Sequence, residues 1–152
     1  MNKPSPSFVV LLVEDESSDA VLVRWAFNKN QIQVDFRHLT DGYDALDFLQ
    51  RATLTHQDAP RPDLILLDLN MPSMSGLELL TKIKMLPVLA SIPVVILSTS
   101  YAMPDVLASR NLGAADYFTK PMDIHQLVDT IRIVCERWVA PQLLIKQASG
   151  GE

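Results

Sequence analysis

The sequence is poor in cysteine, in positive charge and in long apolar segments, and each shortage excludes a class of protein. Cys135 is the single cysteine, so the chain forms no internal disulfide and gives no sign of an oxidising compartment. The net charge of −5 provides no basic field for a nucleic-acid backbone. The apolar run at residues 8–13 is short and ends in three acids, which fits neither a signal peptide nor a membrane span. We therefore expect a cytoplasmic protein that binds neither nucleic acid nor membrane.

Strands and helices are predicted to alternate along the chain. With 152 residues, 48% of them hydrophobic, the sequence is long enough for one domain with a two-sided core. Apolar runs and alternating patterns predict strands at residues 8–13, 32–39, 64–67, 92–97 and 114–119. Helical periodicity follows each strand. Five strands in alternation with five helices predict a parallel sheet covered by helices on both faces.

Residues that favour helix starts mark where several of these helices begin. Ser17 or Ser18 is expected to cap the first helix, and Asp123 the last. Ser75 and Glu78 have the spacing of a capping box. Residues 52–62 lack periodicity and predict an extended surface loop.

Polar side chains stand where four of the predicted strands end. Glu14 and Asp15 follow the first strand, Asp68 the third, Ser98 the fourth and Lys120 the fifth. Because the carboxyl ends of parallel strands meet at one edge of a sheet, we expect these side chains to converge. Three carboxylates in one place repel one another unless a cation neutralises them, and hard oxygen ligands favour Mg²⁺.

This set of groups is suited to phosphoryl transfer onto an aspartate. Asp68 is predicted to be the nucleophile that becomes the aspartyl phosphate. Ser98 and Lys120 are predicted to hold phosphate oxygens. The predicted Mg²⁺ ligands are Glu14, Asp15, Asp68 and the backbone carbonyl of Asn70.

The motifs around these residues resemble those of response-regulator receiver domains of two-component systems. The matching segments are residues 13–15, 66–72 with Gly76, 93–98 and 117–121. The resemblance implies a flavodoxin-like (βα)5 three-layer sandwich, with a parallel five-stranded sheet in the order 2-1-3-4-5. It also implies a cis peptide bond between Lys120 and Pro121, which would aim the lysine into the site.

The resemblance further implies a function without a separate metabolic substrate, so we do not expect an enzyme. The chain would be a stand-alone response regulator that accepts a phosphoryl group from a sensor histidine kinase and signals through protein contacts. Phosphate on Asp68 would draw in the Ser98 hydroxyl, and Tyr117 would turn inward as a switch residue. The receiver domain is predicted at residues 8–138, between a flexible leader at 1–7 and a C-terminal tail at 139–152, too short for an output domain.

Three positions depart from the commoner family pattern. Glu14 stands in place of an aspartate, and Ser98 in place of a threonine. Thr99 stands where a smaller residue is usual, so we expect it to narrow access to the phosphate.

The loop at residues 52–62 and the apolar tail are similar to those of the small regulators that partner cyanobacterial phytochrome-type kinases. Those relatives are often dimers through the face formed by the fourth helix, fifth strand and fifth helix. Pro141 is expected to stop the last helix. The tail would then leave an apolar patch on a monomer, which favours a homodimer, although the tail could instead fold back onto its own domain. The patch comprises Trp138, Val139, Leu143, Leu144 and Ile145.

Two other functions compete with this interpretation. A receiver-like binding module that never carries phosphate would keep the fold, but such modules lose the acids or the lysine that this sequence retains. An aspartate-nucleophile phosphatase usually has a second aspartate two residues after the nucleophile, where this chain has Asn70. An amide cannot serve as the general acid that this position requires. Tyr117 could likewise be a simple strand residue instead of a switch.

Overall fold

A five-stranded parallel sheet forms the centre of the computed structural model, which describes residues 7–150. The strand order is β2-β1-β3-β4-β5, which confirms the predicted flavodoxin-like order. The strands are β1 (Val9–Val13), β2 (Asp35–Leu39), β3 (Leu64–Leu67), β4 (Val94–Ser98) and β5 (Asp116–Thr119).

Helices cover both faces of this sheet and alternate with the strands as predicted. They are α1 (Ser17–Lys29), α2 (Gly42–Gln50), α3 (Gly76–Met85), α4 (Met103–Asn111) and α5 (Ile124–Val134). A π-helical turn (Cys135–Val139) then joins α5 to a further helix, α6 (Ala140–Gly150). Within residues 7–150, no helix has both the length and the apolar character needed to cross a membrane.

The central strands read as continuous apolar runs because each of their two faces contributes to a separate core. Leu11 and Val13 of β1 point into the core beneath α2 and α3, whereas Val10 and Leu12 point into the core beneath α1 and α5. All residues of β1, β3 and β4 are buried, while β2 and β5 at the sheet edges are only half-buried for most of their length. This burial anchors the ends of the central strands, where the predicted functional residues lie.

The predicted helix caps are correct for two helices and wrong for the first. The Ser75 hydroxyl accepts a hydrogen bond from the Glu78 amide at 3.2 Å, and Asp123 accepts one from the His125 amide at 2.7 Å. Ser17 and Ser18 instead lie inside α1, whose preceding residue has no side-chain cap. Glu16 has an extended backbone and is the last residue before α1. Ser17 is therefore already helical and cannot be the capping residue.

The prediction that Pro141 stops the last helix is wrong. Pro141 is the second residue of α6, in the first turn after the π-helical segment. Proline is tolerated in a first helical turn, where an amide lacks an intrahelical acceptor in any case. The hydrogen-bonding pattern changes at the π-helical turn, so the residues after it behave like the first turn of a new helix. Pro141 is therefore tolerated there, and the helix continues beyond it.

The tail folds back onto its own domain over part of its length. Val139 is fully buried, and Trp138 and Leu143 pack against the core beneath α1 and α5. Lys146 donates to a carboxylate oxygen of Asp63 at 2.7 Å and to the carbonyl of Ser7 at 2.8 Å. The predicted apolar patch is therefore smaller than expected, and its exposed members are Leu144 and Ile145.

Gly76 is required where α3 begins beside the end of β3. A Cβ at this position would clash with the Asp68 carbonyl oxygen and lie 2.7 Å from the Leu69 Cα, both of them backbone atoms. At Gly42, the first residue of α2, a Cβ would meet the flexible side chain of Met74 at 2.7 Å instead.

We expect Gly76→Ala to lower the free energy of unfolding by about 2–3 kcal/mol, and Gly42→Ala by less. Urea unfolding measures both, and equal losses would contradict this account of the close approach.

Val139 gives a test of the tail's attachment to the core. Val139→Ala removes two buried methyl groups and should cost about 1–2 kcal/mol, because the site is fully buried. Ile145→Ala is the matched control at a position that is 65% exposed, and we expect it to change stability by less than about 0.5 kcal/mol. Thermal or urea unfolding distinguishes them; an unaffected Val139→Ala variant would show that the tail detaches in solution.

Candidate functional site

The carboxyl ends of four strands bring the predicted site residues together at one edge of the sheet. Glu14 and Asp15 follow β1, Asp68 follows β3, Ser98 ends β4, and Lys120 follows β5. Glu14 is 1% exposed and Asp68 is 6% exposed, which is unusual for carboxylates. The convergence expected from the strand-end pattern is therefore present.

The three carboxylates form a compact acidic cluster. One oxygen from each of Glu14, Asp15 and Asp68 lies within 4.8 Å of the others. The second carboxylate oxygen of Glu14, Oε2, is buried and has no hydrogen-bond partner among the described residues. A buried, unpaired carboxylate oxygen is costly, and a bound cation would remove that cost. Hard oxygen donors in this arrangement suit a divalent cation of the Mg²⁺ type.

Lys120 provides the positive charge next to this cluster. Its Nζ forms an ion pair with Glu14 Oε1, lies 3.0 Å from Asp19 Oδ2 and lies 3.9 Å from Asp68 Oδ2. Asp19 was not among the residues that the sequence pointed to. Its position in the sequence could have indicated this contact. Asp19 follows Asp15 by four residues and lies in the first turn of α1, a helix that starts at the same edge of the sheet.

Burial and neighbouring charges alter the ionisation of this pair. Burial, together with the neighbouring Asp68, raises the pKa of Glu14 to about 8. Burial alone would lower the pKa of Lys120, but the contacts with Glu14 and Asp19 and the field of Asp68 more than offset it, so that pKa is raised. Lys120 is therefore charged at neutral pH, and Glu14 takes up a proton readily when no cation is bound.

Ser98 and Tyr117 are linked through the backbone of Ser100. The Ser98 hydroxyl is fully buried and accepts a hydrogen bond from the Ser100 amide at 3.3 Å. The Tyr117 hydroxyl donates to the Ser100 carbonyl at 2.6 Å. The Ser100 hydroxyl donates to Asp105 in the first turn of α4 at 2.5 Å. The Tyr117 hydroxyl therefore lies beside the loop between β4 and α4.

The loop after β3 shapes the other side of the site. Asn70 is exposed, and its backbone amide lies 3.3 Å from Asp68 Oδ1, to which it donates a hydrogen bond. Thr99 is exposed on the opposite loop.

The prediction of a cis peptide bond between Lys120 and Pro121 is wrong. Every peptide bond in the described part of the chain is trans, including this one. With the trans bond, the Lys120 amide donates to the Ser98 carbonyl at 2.6 Å and prolongs the pairing of β4 with β5. The lysine side chain reaches the acidic cluster from this backbone position.

Residues 10–132 match the family model described as the response regulator receiver domain. The response regulator Rcp1 of Synechocystis sp. is 38% identical to this chain over 138 residues, which cover 91% of this chain and 93% of Rcp1. The Mn²⁺-bound form of Rcp1 has a similar structure, with a TM-score of 0.81 and 39% identity, covering 89% of this chain and 96% of that chain.

The phosphorylated cyanobacterial phytochrome response regulator RcpA is also similar in structure. Its TM-score is 0.84 at 35% identity, covering 90% of this chain and 96% of that chain. The resemblance to phytochrome-linked regulators is thereby confirmed. Sequence motifs, strand order and site geometry agree with these matches, and the chain belongs to the response regulator receiver domain family.

Proposed function

We propose that this chain is a stand-alone response regulator that accepts a phosphoryl group from a histidine kinase onto Asp68 and signals through phosphorylation-dependent protein contacts. The observation that carries the proposal is the convergence of a buried carboxylate, a charged lysine and a buried hydroxyl at one sheet edge. These are Asp68, Lys120 and Ser98. The phosphorylated form of the related RcpA supports it.

The chemistry begins at the carboxylate of Asp68. One of its oxygens attacks the phosphorus of a phosphohistidine whose imidazole is protonated on its other nitrogen; a P–O bond forms as the P–N bond breaks, and the imidazole leaves in its neutral form. The Lys120 ammonium, 3.9 Å from Asp68 Oδ2, donates to one phosphoryl oxygen. The Ser98 hydroxyl donates to another. Asp68 is almost fully shielded from water, which slows hydrolysis of the product.

Mg²⁺ fits the acidic cluster. The proposed ligands are Glu14, Asp15, Asp68 and the backbone carbonyl of Asn70, and the buried, unpaired Glu14 Oε2 is the contact that most requires a cation. When bound, the ion neutralises charge on the carboxylates and on the transferred phosphoryl group. The Mn²⁺-bound form of the related Rcp1 supports a divalent-cation site.

The signal is proposed to travel through Ser100. A Ser98 hydroxyl that turns toward a phosphoryl oxygen gives up the hydrogen bond from the Ser100 amide. The same residue holds Tyr117 through its carbonyl and Asp105 of α4 through its hydroxyl. A local change at Asp68 therefore biases the position of Tyr117 and the start of α4.

The proposed partners are a sensor histidine kinase of the phytochrome type and a second copy of the chain. The kinase type is supported by the similarity to RcpA. The dimer is proposed to form through α4, β5 and α5, where Met103, Leu107 and Ile124 are exposed apolar residues. Leu144 and Ile145 of α6 are further exposed apolar residues.

Two rival functions are less well supported by the site. A binding module without phosphorylation would have no use for a buried acidic cluster beside a charged lysine. A phosphatase would need a general acid at position 70, where the exposed Asn70 side chain has no ionisable group.

Phosphorylation by acetyl phosphate tests the proposed nucleophile. Intact mass spectrometry should show a single Mg²⁺-dependent phosphoryl adduct on the wild-type chain, and none on Asp68→Asn, because the amide is nearly isosteric but not nucleophilic. Asp129→Asn, at an exposed position on α5, is the matched control and should be labelled normally. A sizing column run on the same samples reports whether the adduct changes self-association.

Normal labelling of Asp68→Asn would place the nucleophile elsewhere. Absence of an adduct on the wild-type chain, with both small phosphodonor and cognate kinase, would favour the binding module.

Glu14 generates a pH-dependence prediction for the metal-free protein. Its pKa is about 8 in the folded state against an ordinary value of 4.5, so its contribution to stability is complete below about pH 4.5 and is lost as the pH rises through 8. In EDTA, Glu14→Gln should therefore gain stability relative to wild type between pH 6 and pH 9. Added Mg²⁺ should stabilise the wild type more than the variant.

Thermal unfolding across this pH range measures the effect. Glu78→Gln, at an exposed position on α3, is the control and should follow the wild-type profile. Parallel profiles for wild type and Glu14→Gln would contradict the elevated pKa.

A further inference from the structure

We propose that a cavity at the end of α3 remote from Asp68 binds a small amphiphilic anion, an apolar group of about the size of a medium-length acyl chain that carries a carboxylate. The cavity lies between the end of α2 and the segment that follows α3, and its volume is about 360 Å³. Cavities that hold small molecules usually measure about 300–1,000 Å³. A compact ligand fits this space, and a long lipid chain does not.

The course of α3 separates this cavity from the acidic cluster. The helix begins at Gly76, beside the Asp68 backbone, and ends ten residues later at Met85. A helix of ten residues is about 15 Å long. Residues 86–89 follow this far end and line the cavity. The cavity is therefore distinct from the proposed phosphorylation site.

Apolar side chains form much of the cavity wall. Leu49 and Leu89 are buried members of the core beneath α2 and α3, and Leu86 packs against that core. Val88, which also lines the cavity, is 75% exposed. An apolar group that enters the cavity leaves water for these contacts, which is favourable in proportion to the apolar area buried. The wall therefore favours a ligand with an apolar body.

Two arginines line the same cavity, and both keep unused hydrogen-bond donors. A guanidinium group has five N–H donors. Arg51 donates to the Ala59 carbonyl, and Arg61 donates to the Val88 carbonyl and the Ser91 hydroxyl. Most donors on both side chains therefore have no acceptor in the part of the chain that the structure describes. Paired donors of this kind bind a carboxylate through charge-assisted hydrogen bonds.

Neither arginine is neutralised by an acid among the described residues. Arg37, Arg132 and Arg137 each form an ion pair with an aspartate, whereas Arg51 and Arg61 form none with residues 7–148. Two unpaired positive charges beside an apolar wall complement a ligand that is apolar at one end and negative at the other. This charge complementarity favours an anionic amphiphile over a neutral or cationic one.

The backbone of Arg51 is a further unusual feature of the cavity. Arg51 ends α2 in the left-handed conformation, with φ 53° and ψ 41°. Glycine is the usual residue at such a helix end, because a side chain makes this conformation costly. An arginine in this place brings a guanidinium group to the cavity that glycine would not supply.

NMR titration of the full ¹⁵N-labelled chain with octanoate, below the concentration at which it forms micelles, tests the proposal. The amide signals of Gln50, Leu86 and Val88 should shift in a saturable manner. 1-Octanol has the same chain without the charge, and it should bind about 2- to 5-fold more weakly. Octylammonium should bind more weakly still, because the arginines repel it. The titration contains no phosphodonor, so its outcome is independent of the proposed function.

Val88→Glu tests the site without removing either arginine. The new carboxylate would compete for the guanidinium groups and repel the ligand, so we expect octanoate to bind about 2- to 5-fold more weakly. Because Val88 is 75% exposed, this variant should fold normally. Val88→Gln is the neutral control of equal size and should bind octanoate more tightly than Val88→Glu. Val21→Glu places the same charge at an exposed position on α1 and should bind as the wild type does.

Arg61→Gln gives a direct test of one arginine. It should weaken octanoate binding about 2- to 5-fold and leave 1-octanol binding unchanged, because only the charged group is lost. Arg110→Gln, at an exposed position on α4, is the matched control and should leave both unchanged.

The proposal is overturned if octanoate produces no saturable shift at residues 49–51 and 86–89. Equal affinities for octanoate and octylammonium would overturn it as well, as would full binding by Val88→Glu. Sedimentation of the same variants covers the alternative occupant. Self-association that is lost in Val88→Glu, without octanoate binding to the wild type, would show that a second copy of the chain fills the cavity instead.

Discussion

Electrostatic repulsion among three carboxylates at one buried edge of the sheet is the constraint on which the site depends. Glu14, Asp15 and Asp68 lie within 4.8 Å of one another, and two of them are almost fully buried. In the described chain, the Lys120 ammonium offsets part of this negative charge, and the same repulsion, together with burial, raises the pKa of Glu14 to about 8, so that a proton offsets part of it near neutral pH. Neither satisfies the second oxygen of Glu14. The acidic cluster therefore favours the binding of a further cation.

The rest of the fold holds these charges in place. Strands β1 and β3 are buried on both faces, so the acids that follow them cannot move apart into solvent without disturbing two cores at once. Gly76 lets the start of α3 approach the Asp68 backbone. The other face of the proposed switch is less buried: Tyr117 is half-buried, and Ser109 is the one fully buried residue of α4.

Much of this could be predicted from the sequence, since continuous apolar runs and polar residues at strand ends are local patterns. The sheet order, the acidic cluster, Lys120 and Ser98 all followed from such patterns together with the family motifs. Asp19 did not, because its contact with Lys120 joins residues 101 positions apart in the sequence. Pro141 misled for a different reason: a π-helical turn has no sequence signature, and it converts a helix-breaking residue into a first-turn residue. The cis bond expected before Pro121 followed from the family resemblance alone, and the described chain has a trans bond there.

The central claim is that the acidic cluster binds Mg²⁺, because its three carboxylates lie close together and one buried oxygen has no partner among the described residues. Calorimetric titration with Mg²⁺ tests this claim most directly. The comparison is between the wild-type chain and a double variant, Glu14→Ala with Asp15→Ala. We predict one Mg²⁺ bound per wild-type chain, with proton release near neutral pH as the ion displaces the proton from Glu14, and loss of this binding in the double variant. Unchanged Mg²⁺ affinity in the double variant would contradict the account.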